Sequence, residues 1–187
     1  SGQGDPFTKF AFQAINAIAQ GLVLIYKRPS LQNLYSYLQA GTPSLLSQAM
    51  YAYAKEKDPD FEQHRKAHIP VNMPPRGEPI LVEGGFAIAE TEKMAAGENC
   101  LNPEGVAGFW TNYYRQFMVQ SHPDAGMEAL IGMFEHNKEH ASKMLASLIP
   151  IMSMLTSGEI GPLLSPRPGE GEILDMKKIC DAGLVCY

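Results

Sequence analysis

Apolar residues recur at intervals of three and four positions over most of this chain, and this spacing restricts its fold more than any other sequence feature. The spacing places apolar side chains along one side of an α-helix, whereas a half-buried strand alternates at every second residue. The sequence therefore predicts a chain built mainly of amphipathic helices. In the first such stretch the apolar positions are Phe7, Phe10, Ala11, Ala14, Ile15, Ile18, Leu22 and Ile25.

Capping residues and prolines set the expected limits of four N-terminal helices. A capping residue followed by proline is typical of a helix start, and Asp5 and Thr42 both precede a proline. Ser30 is a capping residue of the same class. Pro29 disfavours helical geometry at the residue before it, so the first helix should end near Lys27. These helices together occupy residues 5–68, with expected ranges 5–27, 30–40, 42–55 and 58–68.

The middle of the chain, residues 69–101, is predicted to be a loop rich in proline and glycine followed by a weak helix. The breakers are dense enough to predict no regular structure before residue 86, where weak helical spacing resumes and continues to residue 96. The residues that interrupt the pattern are Pro70, Pro74, Pro75, Gly77, Pro79, Gly84 and Gly85.

Residues 102–156 carry the strongest helical pattern. Asn102 before Pro103 predicts a helix start, and Pro123 predicts its end. A single continuous helix is expected over residues 127–155, bent at Pro150. The expected core positions are Val106, Phe109, Trp110, Tyr113 and Phe117 in the first helix, and Leu130, Ile131, Phe134, Ala141, Leu145, Leu148, Met152 and Leu155 in the second.

The last segment, residues 157–187, is again rich in glycine and proline. It contains a predicted helical turn over residues 175–182 and an apolar strand over residues 184–187, where the sequence ends. A strand needs neighbours, and the sequence shows no second strong strand signal. We therefore expect one all-α domain over residues 1–187, with a truncated strand whose sheet belongs to a larger protein.

Charge and cysteine content limit the classes of partner and compartment. Fifteen Lys and Arg against twenty Asp and Glu give a formal net charge of −5, which predicts weak binding to duplex DNA. Cys100, Cys180 and Cys186 form neither an even set nor a C-x-x-C pair and are typical of thiols in a reducing compartment. No membrane segment or signal peptide is predicted, so the chain is expected to be soluble.

One short motif suggests a zinc hydrolase. His136, Glu139 and His140 fit H-x-x-E-H, in which two imidazoles bind zinc and the carboxylate acts as a base. In a continuous helix all three side chains would point away from the apolar side. On that exposed side Lys143 can pair with Glu139, four residues earlier. An exposed helix face is the favoured interpretation, and zinc hydrolysis remains an alternative that metal analysis of the purified protein would test.

A second histidine pair gives a weaker metal hypothesis. His64 and His68 are four residues apart beside Glu62, but the mixed charges around them are typical of an exposed helix. The sequence contains neither a G-x-x-x-x-G-K-[ST] phosphate loop nor a G-x-S-x-G nucleophile motif. We therefore predict no catalytic residue, cofactor or metal ligand in this chain, and no enzymatic activity of its own.

Two stretches of the sequence carry a resemblance to a known family. The first extends from the G-D-P-F run at residues 4–7 through the helix to Pro29. The second comprises L-T-S-G-E-I-G-P-L-L-S-P at residues 155–166 and I-L-D-M-K-K-I at residues 173–179. Both stretches resemble the type IV coupling proteins of conjugation and secretion systems, of the TraD or DotL kind. In that family an all-α domain is inserted in a RecA-like motor domain. The second stretch resembles the exit from the insertion back into a motor strand.

The resemblance implies a multi-helix bundle inserted in a RecA-like motor that recruits cargo for translocation. The parent protein would be a hexameric ATPase at the cytoplasmic face of the bacterial inner membrane, and ATP and Mg²⁺ would bind outside this chain. The implied partners are a relaxase or relaxosome, secreted protein substrates or their adaptors, and single-stranded DNA. A freestanding helical scaffold with no motor is a further alternative.

Two regions are candidates for binding these partners. One is the proline-rich loop with Pro74, Pro75 and Arg76. The other is the expected exposed helix face with His136, His140 and Lys143.

Overall fold

The structure is a computed structural model that describes residues 6–71, 79–136, 143, 145–146, 148–158 and 161. These residues form eight α-helices, a π-helix and a two-stranded hairpin, so the expectation of a mostly helical chain is confirmed. The α-helices are α1 (Pro6–Leu24), α2 (Leu31–Ala40), α3 (Pro43–Lys57), α4 (Phe61–His64), α5 (Gly84–Ala96), α6 (Pro103–Tyr113), α7 (Ala125–Glu135) and α8 (Leu148–Thr156). The π-helix is Tyr114–Met118, and the strands are β1 (His68–Val71) and β2 (Ile80–Glu83).

The predicted helix starts are confirmed at two capping side chains. The Ser30 hydroxyl accepts a hydrogen bond from the Asn33 amide at 3.1 Å, and the Asn102 side chain accepts one from the Gly105 amide at 3.0 Å. Such bonds satisfy amides that have no partner within the first turn. The first helix ends at Leu24, slightly earlier than expected, and Tyr26 follows in the left-handed region with φ 57°.

Helix α3 lies at the centre of the fold. It packs against α1, α5, α6 and α7, while α2 contacts α1 and α8. The aromatic side chains Phe109, Trp110 and Tyr113 of α6 are fully buried, as the sequence predicted. This arrangement places one continuous core around α3 and leaves the hairpin on the outer side of α6.

The π-helix changes which side of the chain is buried after Tyr113. The Val119 amide donates to the Tyr114 carbonyl at 2.8 Å, a bond that spans five residues instead of four. The wider turn rotates the following side chains, so Tyr114 and Met118 are buried while Phe117 is only partly covered. The prediction of Phe117 as a core residue, which assumed regular α-helical spacing, holds only in part.

The prediction of a loop without regular structure at residues 70–85 is wrong at both of its ends. β1 and β2 pair in antiparallel register, with Ile69 opposite Val82 and Pro70 opposite Leu81. The Gly84 amide donates to the Ala67 carbonyl at 3.0 Å. Because hydrogen-bonded pairs alternate along an antiparallel ladder, Pro70 falls in a pair that needs no amide from it. The strand therefore tolerates a proline that the sequence pattern treats as a breaker.

The prediction of one continuous helix over residues 127–155 is also wrong. α7 ends at Glu135, and His136 leaves helical geometry with φ −63° and ψ 142°. α8 then starts at Leu148, which places Pro150 in its first turn. Proline is tolerated there because first-turn amides have no partner within the helix. The proline thus accompanies a new helix start instead of bending an existing helix.

Membrane-spanning helices are not found in the part of the chain that the structure describes, since none of its helices is both long and apolar enough. The helical turn expected at residues 175–182 and the strand expected at residues 184–187 lie outside the described residues.

Candidate binding site

A cavity of about 310 Å³ lies between α2, the turn that leads into α3, the end of α7 and the start of α8. Its walls are mainly apolar. A volume of this size is at the lower limit for small-ligand pockets and accommodates an anchoring side chain. The lining residues are Tyr37, Leu38, Gln39, Ala40, Gly41, Thr42, Pro43, Glu104, Met133, Phe134, His136, Leu145 and Ile149.

The turn between α2 and α3 forms one side of this cavity. Gly41 has φ 86°, a backbone conformation that favours glycine, and its amide donates to the Tyr37 carbonyl at 3.0 Å. Pro43 then begins α3 at the position where proline is best accommodated. Gly41, Thr42 and Pro43 of this connection line the cavity together with Tyr37.

His136 lies at the end of α7 and lines the cavity. Its side chain is half-buried, its Nε2 atom is buried, and its ring centroid lies 4.9 Å from that of Phe10. The prediction that His136 belongs to an exposed helix face is therefore wrong. It assumed that the helix continues, whereas the extended backbone at His136 turns the ring toward α1.

A second opening of about 320 Å³ lies on the α1 side of the same histidine. Met133 and His136 line both spaces, so these two side chains separate them. Phe10 and Gly132 belong to the second opening alone. A change at Met133 therefore alters both spaces together.

The polar groups of the cavity give it a defined chemistry. Burial raises the pKa of the Tyr37 hydroxyl, and a side-chain hydrogen bond with Gln48 only partly offsets this. Glu104, in the first turn of α6, adds a carboxylate to the cavity lining. The cavity therefore suits an apolar group with an attached hydrogen-bond donor, such as the side chain and adjacent backbone of a peptide.

The other predicted binding residues are only partly described. Lys143 is helical and exposed. The structure does not describe His140, Pro74, Pro75 or Arg76, so the hypotheses that rest on them stay predictions. In the sequence, Pro74, Pro75 and Arg76 lie between β1 and β2.

The structure does not support the H-x-x-E-H zinc site, because His136, the first residue of the motif, is not helical. The motif requires two imidazoles one turn apart on one helix, but α7 ends before His136. Glu139 and His140 lie outside the described residues. Across residues 6–71 and 79–136 and the described positions that follow, no group of three His, Cys, Asp or Glu side chains is arranged to hold a metal ion.

The second histidine pair is separated by the fold. His64 lies in α4 and its Nδ1 atom is 2.8 Å from Asp58 Oδ2, whereas His68 is exposed on β1. The helix that was predicted to continue to His68 ends at His64, and the chain then turns so that His68 begins β1. The two imidazoles therefore do not share one helix face.

Sequence reasoning missed a buried polar cluster around Asp58. Its carboxylate is almost fully buried and accepts hydrogen bonds from the Tyr113 hydroxyl at 2.5 Å and from the Asp60 amide at 3.0 Å. Burial by itself would raise the pKa of the Asp58 carboxyl, but bonds from Tyr113, His64 and Asp60 outweigh it and lower that pKa. Burial, followed by the bond to Asp58, raises the pKa of Tyr113 strongly. The Asp-Pro-Asp run is a local signal for a turn, but nothing in the sequence pairs it with Tyr113.

A second buried carboxylate fixes the connection between α5 and α6. Glu90 accepts a hydrogen bond from the Leu101 amide at 2.8 Å and pairs with Lys93. The bond from Lys93, followed by that from Leu101, lowers the pKa of the Glu90 carboxyl. This cluster has a structural role, since it closes the chain after the left-handed Gly97.

The chain matches no protein-family model, and comparison with curated proteins and with solved structures finds no significant match.

Proposed function

We propose that this helical domain is the cargo-recognition domain of a type IV coupling protein and recruits relaxosome or secreted protein substrates to a translocation motor. One observation carries the proposal: residues 155–166, together with residues 173–179, resemble the exit from the inserted helical domain of that family. The chemistry of translocation then belongs to the motor, where ATP and Mg²⁺ bind. The parent protein would be hexameric at the cytoplasmic face of the inner membrane.

The cavity supports a role in protein recognition. Interfaces gain most of their affinity from a few side chains that enter well-packed pockets, and the apolar walls beside Leu38, Phe134 and Leu145 provide such a pocket. The net charge of −5 disfavours a duplex DNA partner, because few phosphates can be neutralised. Protein cargo, or the protein part of a nucleoprotein cargo, is the better fit.

The experiment is affinity capture by the tagged chain from cells that make the cognate relaxase and secretion adaptors. We expect one of these proteins to be retained. Met133→Trp should fill both spaces beside His136 and reduce retention roughly tenfold, equivalent to about 1.4 kcal/mol. Met154→Trp is the matched control, because Met154 is 64% exposed and lines neither space.

Two results would contradict the proposal. One is retention of none of these proteins by a folded wild-type chain. The other is a parent gene that encodes no Walker lysine upstream of this region and no acidic Walker segment downstream. Unchanged retention by Lys143→Glu would remove only the predicted contribution of Lys143.

A further inference from the structure

Within the described residues, strand β2 pairs with β1 along one edge and with no strand along its other edge, which is called the open edge below. The register and the bond from Gly84 to Ala67 make Ile69–Val82 and Val71–Ile80 the hydrogen-bonded pairs of the ladder. The backbone groups of Leu81, and the amide of Glu83, therefore point away from β1. Among the described residues none forms a hydrogen bond with these outward groups.

The opposite edge of the hairpin is already occupied. The Asn112 side chain of α6 donates to the Pro70 carbonyl at 2.7 Å, and Pro70 has no amide to offer. A strand added to this sheet can therefore pair only with β2. The outward backbone donors and acceptors of β2 select an extended chain as the partner, because a helix has already paired its own backbone donors and acceptors.

The side chains along the open edge are unusually apolar for exposed positions. Leu81 is 68% exposed and Ile80 is 49% exposed, and Phe86 follows in the first turn of α5 at 43%. Natural edge strands are commonly protected by charges or prolines. Here the only charged side chain of β2 is Glu83, which lies on the same face as Leu81.

We propose that the open edge of β2 binds an extended segment of a protein substrate by strand addition, with a basic and an apolar residue two positions apart. This deepens the proposed function by naming the form of cargo that is recognised. The basic residue would lie opposite Glu83 and the apolar residue opposite Leu81, where cross-strand pairs of these kinds are favourable. The net charge of −5 also favours a basic segment.

A second copy of the chain is a poorer occupant of this edge. A four-residue strand is about 13 Å long, and pairing over that length covers far less than the ~800 Å² per partner of a stable interface. A short peptide segment has no such requirement, since its flanking residues can add further contacts.

The test uses a capped peptide of sequence threonine-lysine-isoleucine-valine-threonine, titrated into the isotopically labelled chain and followed by nuclear magnetic resonance. We expect the amides of Leu81 and Glu83 to shift and to gain protection from hydrogen exchange. A peptide N-methylated at valine lacks one donor and should bind roughly three- to tenfold more weakly. This comparison leaves the protein unchanged.

Two protein variants complete the test. Leu81→Pro removes the outward amide while leaving the ladder to β1 intact, because Leu81 lies opposite Pro70 in a pair without ladder bonds. It should abolish the shift at Glu83. Glu83→Lys should weaken binding of the lysine peptide and strengthen binding of a peptide with glutamate in that place.

Three outcomes would overturn the inference: no shift at Leu81 and Glu83 at millimolar peptide, equal binding by Leu81→Pro, or self-association that Leu81→Pro abolishes. Retention of the relaxase or an adaptor that Leu81→Pro leaves unchanged would also overturn it while leaving the proposed function in place. Peptide binding without any such retention would support strand addition and contradict the proposed function.

Discussion

The Tyr113 hydroxyl donates a hydrogen bond to Asp58 across 55 positions of sequence. Asp58 follows the last residue of α3, and Tyr113 is the last residue of α6. The bond therefore joins the ends of the two helices that form the centre of the fold. Buried polar groups of this kind are most costly when one partner is removed, because the other loses its hydrogen bond without regaining water.

Tyr113→Phe should lower the free energy of unfolding by about 1–3 kcal/mol, because the buried carboxylate then loses one of its donors. Denaturant unfolding measures the change. Tyr51→Phe is the matched control, since it removes a tyrosine-carboxylate bond, to Glu92, that is exposed. The control should change stability by less than about 0.5 kcal/mol. Equal effects of the two variants would contradict a special role for the buried bond.

The lowered pKa of Asp58 predicts a loss of stability in acid. A carboxyl whose pKa is lower in the folded state stabilises the fold fully above its unfolded pKa of about 4, and that contribution disappears as the pH falls through the folded pKa. The unfolding free energy of the wild-type chain should therefore decrease more steeply below about pH 4 than that of Asp58→Asn. Parallel curves for the two proteins would argue against this assignment.

The raised pKa of Tyr113 predicts a loss of stability in alkali. A group whose folded pKa is raised contributes stability fully below its unfolded pKa, which is about 10 for tyrosine, and loses it as the pH rises further. Unfolding free energy should decrease above about pH 10 in the wild-type chain and less so in Tyr113→Phe. Ultraviolet absorbance should also show at least one tyrosine that ionises only on unfolding, and this signal should be lost in Tyr113→Phe. Ionisation of every tyrosine in the folded chain would refute this.

Gly84 allows the hairpin and α5 to approach the turn after α4. A Cβ atom at this position would lie 1.9 Å from the Arg65 carbonyl oxygen. Gly84→Ala should destabilise the fold by about 1–3 kcal/mol, since backbone must move. Gly132→Ala is the control, because a Cβ there meets nothing within 4 Å and the change should stabilise α7 by up to about 1 kcal/mol. Thermal unfolding measures the stability of both variants. An unchanged stability of Gly84→Ala would show that Gly84 lies farther from the Arg65 carbonyl than described.

A buried hydrogen bond joins Thr91 to Trp110, the single tryptophan of the sequence. The Trp110 indole donates to the Thr91 hydroxyl at 2.8 Å inside the core. Thr91→Val keeps the shape but leaves this donor without a partner, which should cost about 1–3 kcal/mol and shift the tryptophan emission. Thr111→Val is the control, because the Thr111 hydroxyl only donates to a carbonyl of its own helix. An unchanged emission spectrum in Thr91→Val would count against the bond.

Local signals in the sequence identified most helices but not the features around the sites. Ser30 and Asn102 mark helix starts because their capping bonds involve neighbours three residues away. The hairpin was missed because Pro70 is acceptable only in one of the two kinds of strand pair, and the register decides which. The end of α7 was missed because the helical spacing of apolar residues continues past Glu135, whereas His136 leaves the helix and packs on Phe10, 126 positions earlier.

Local sequence patterns were enough to predict that this chain is mostly helical, which faces of α1 and α6 are apolar, and where several helices begin. These properties depend on residues within one or two turns of each other, so short-range spacing contains them. Three features emerge only from the folded arrangement: Tyr113 bonds to Asp58, His136 lies between two openings, and β2 has no strand partner other than β1 among the described residues. Each of these depends on segments far apart in the chain meeting in one register, and local spacing does not specify that register.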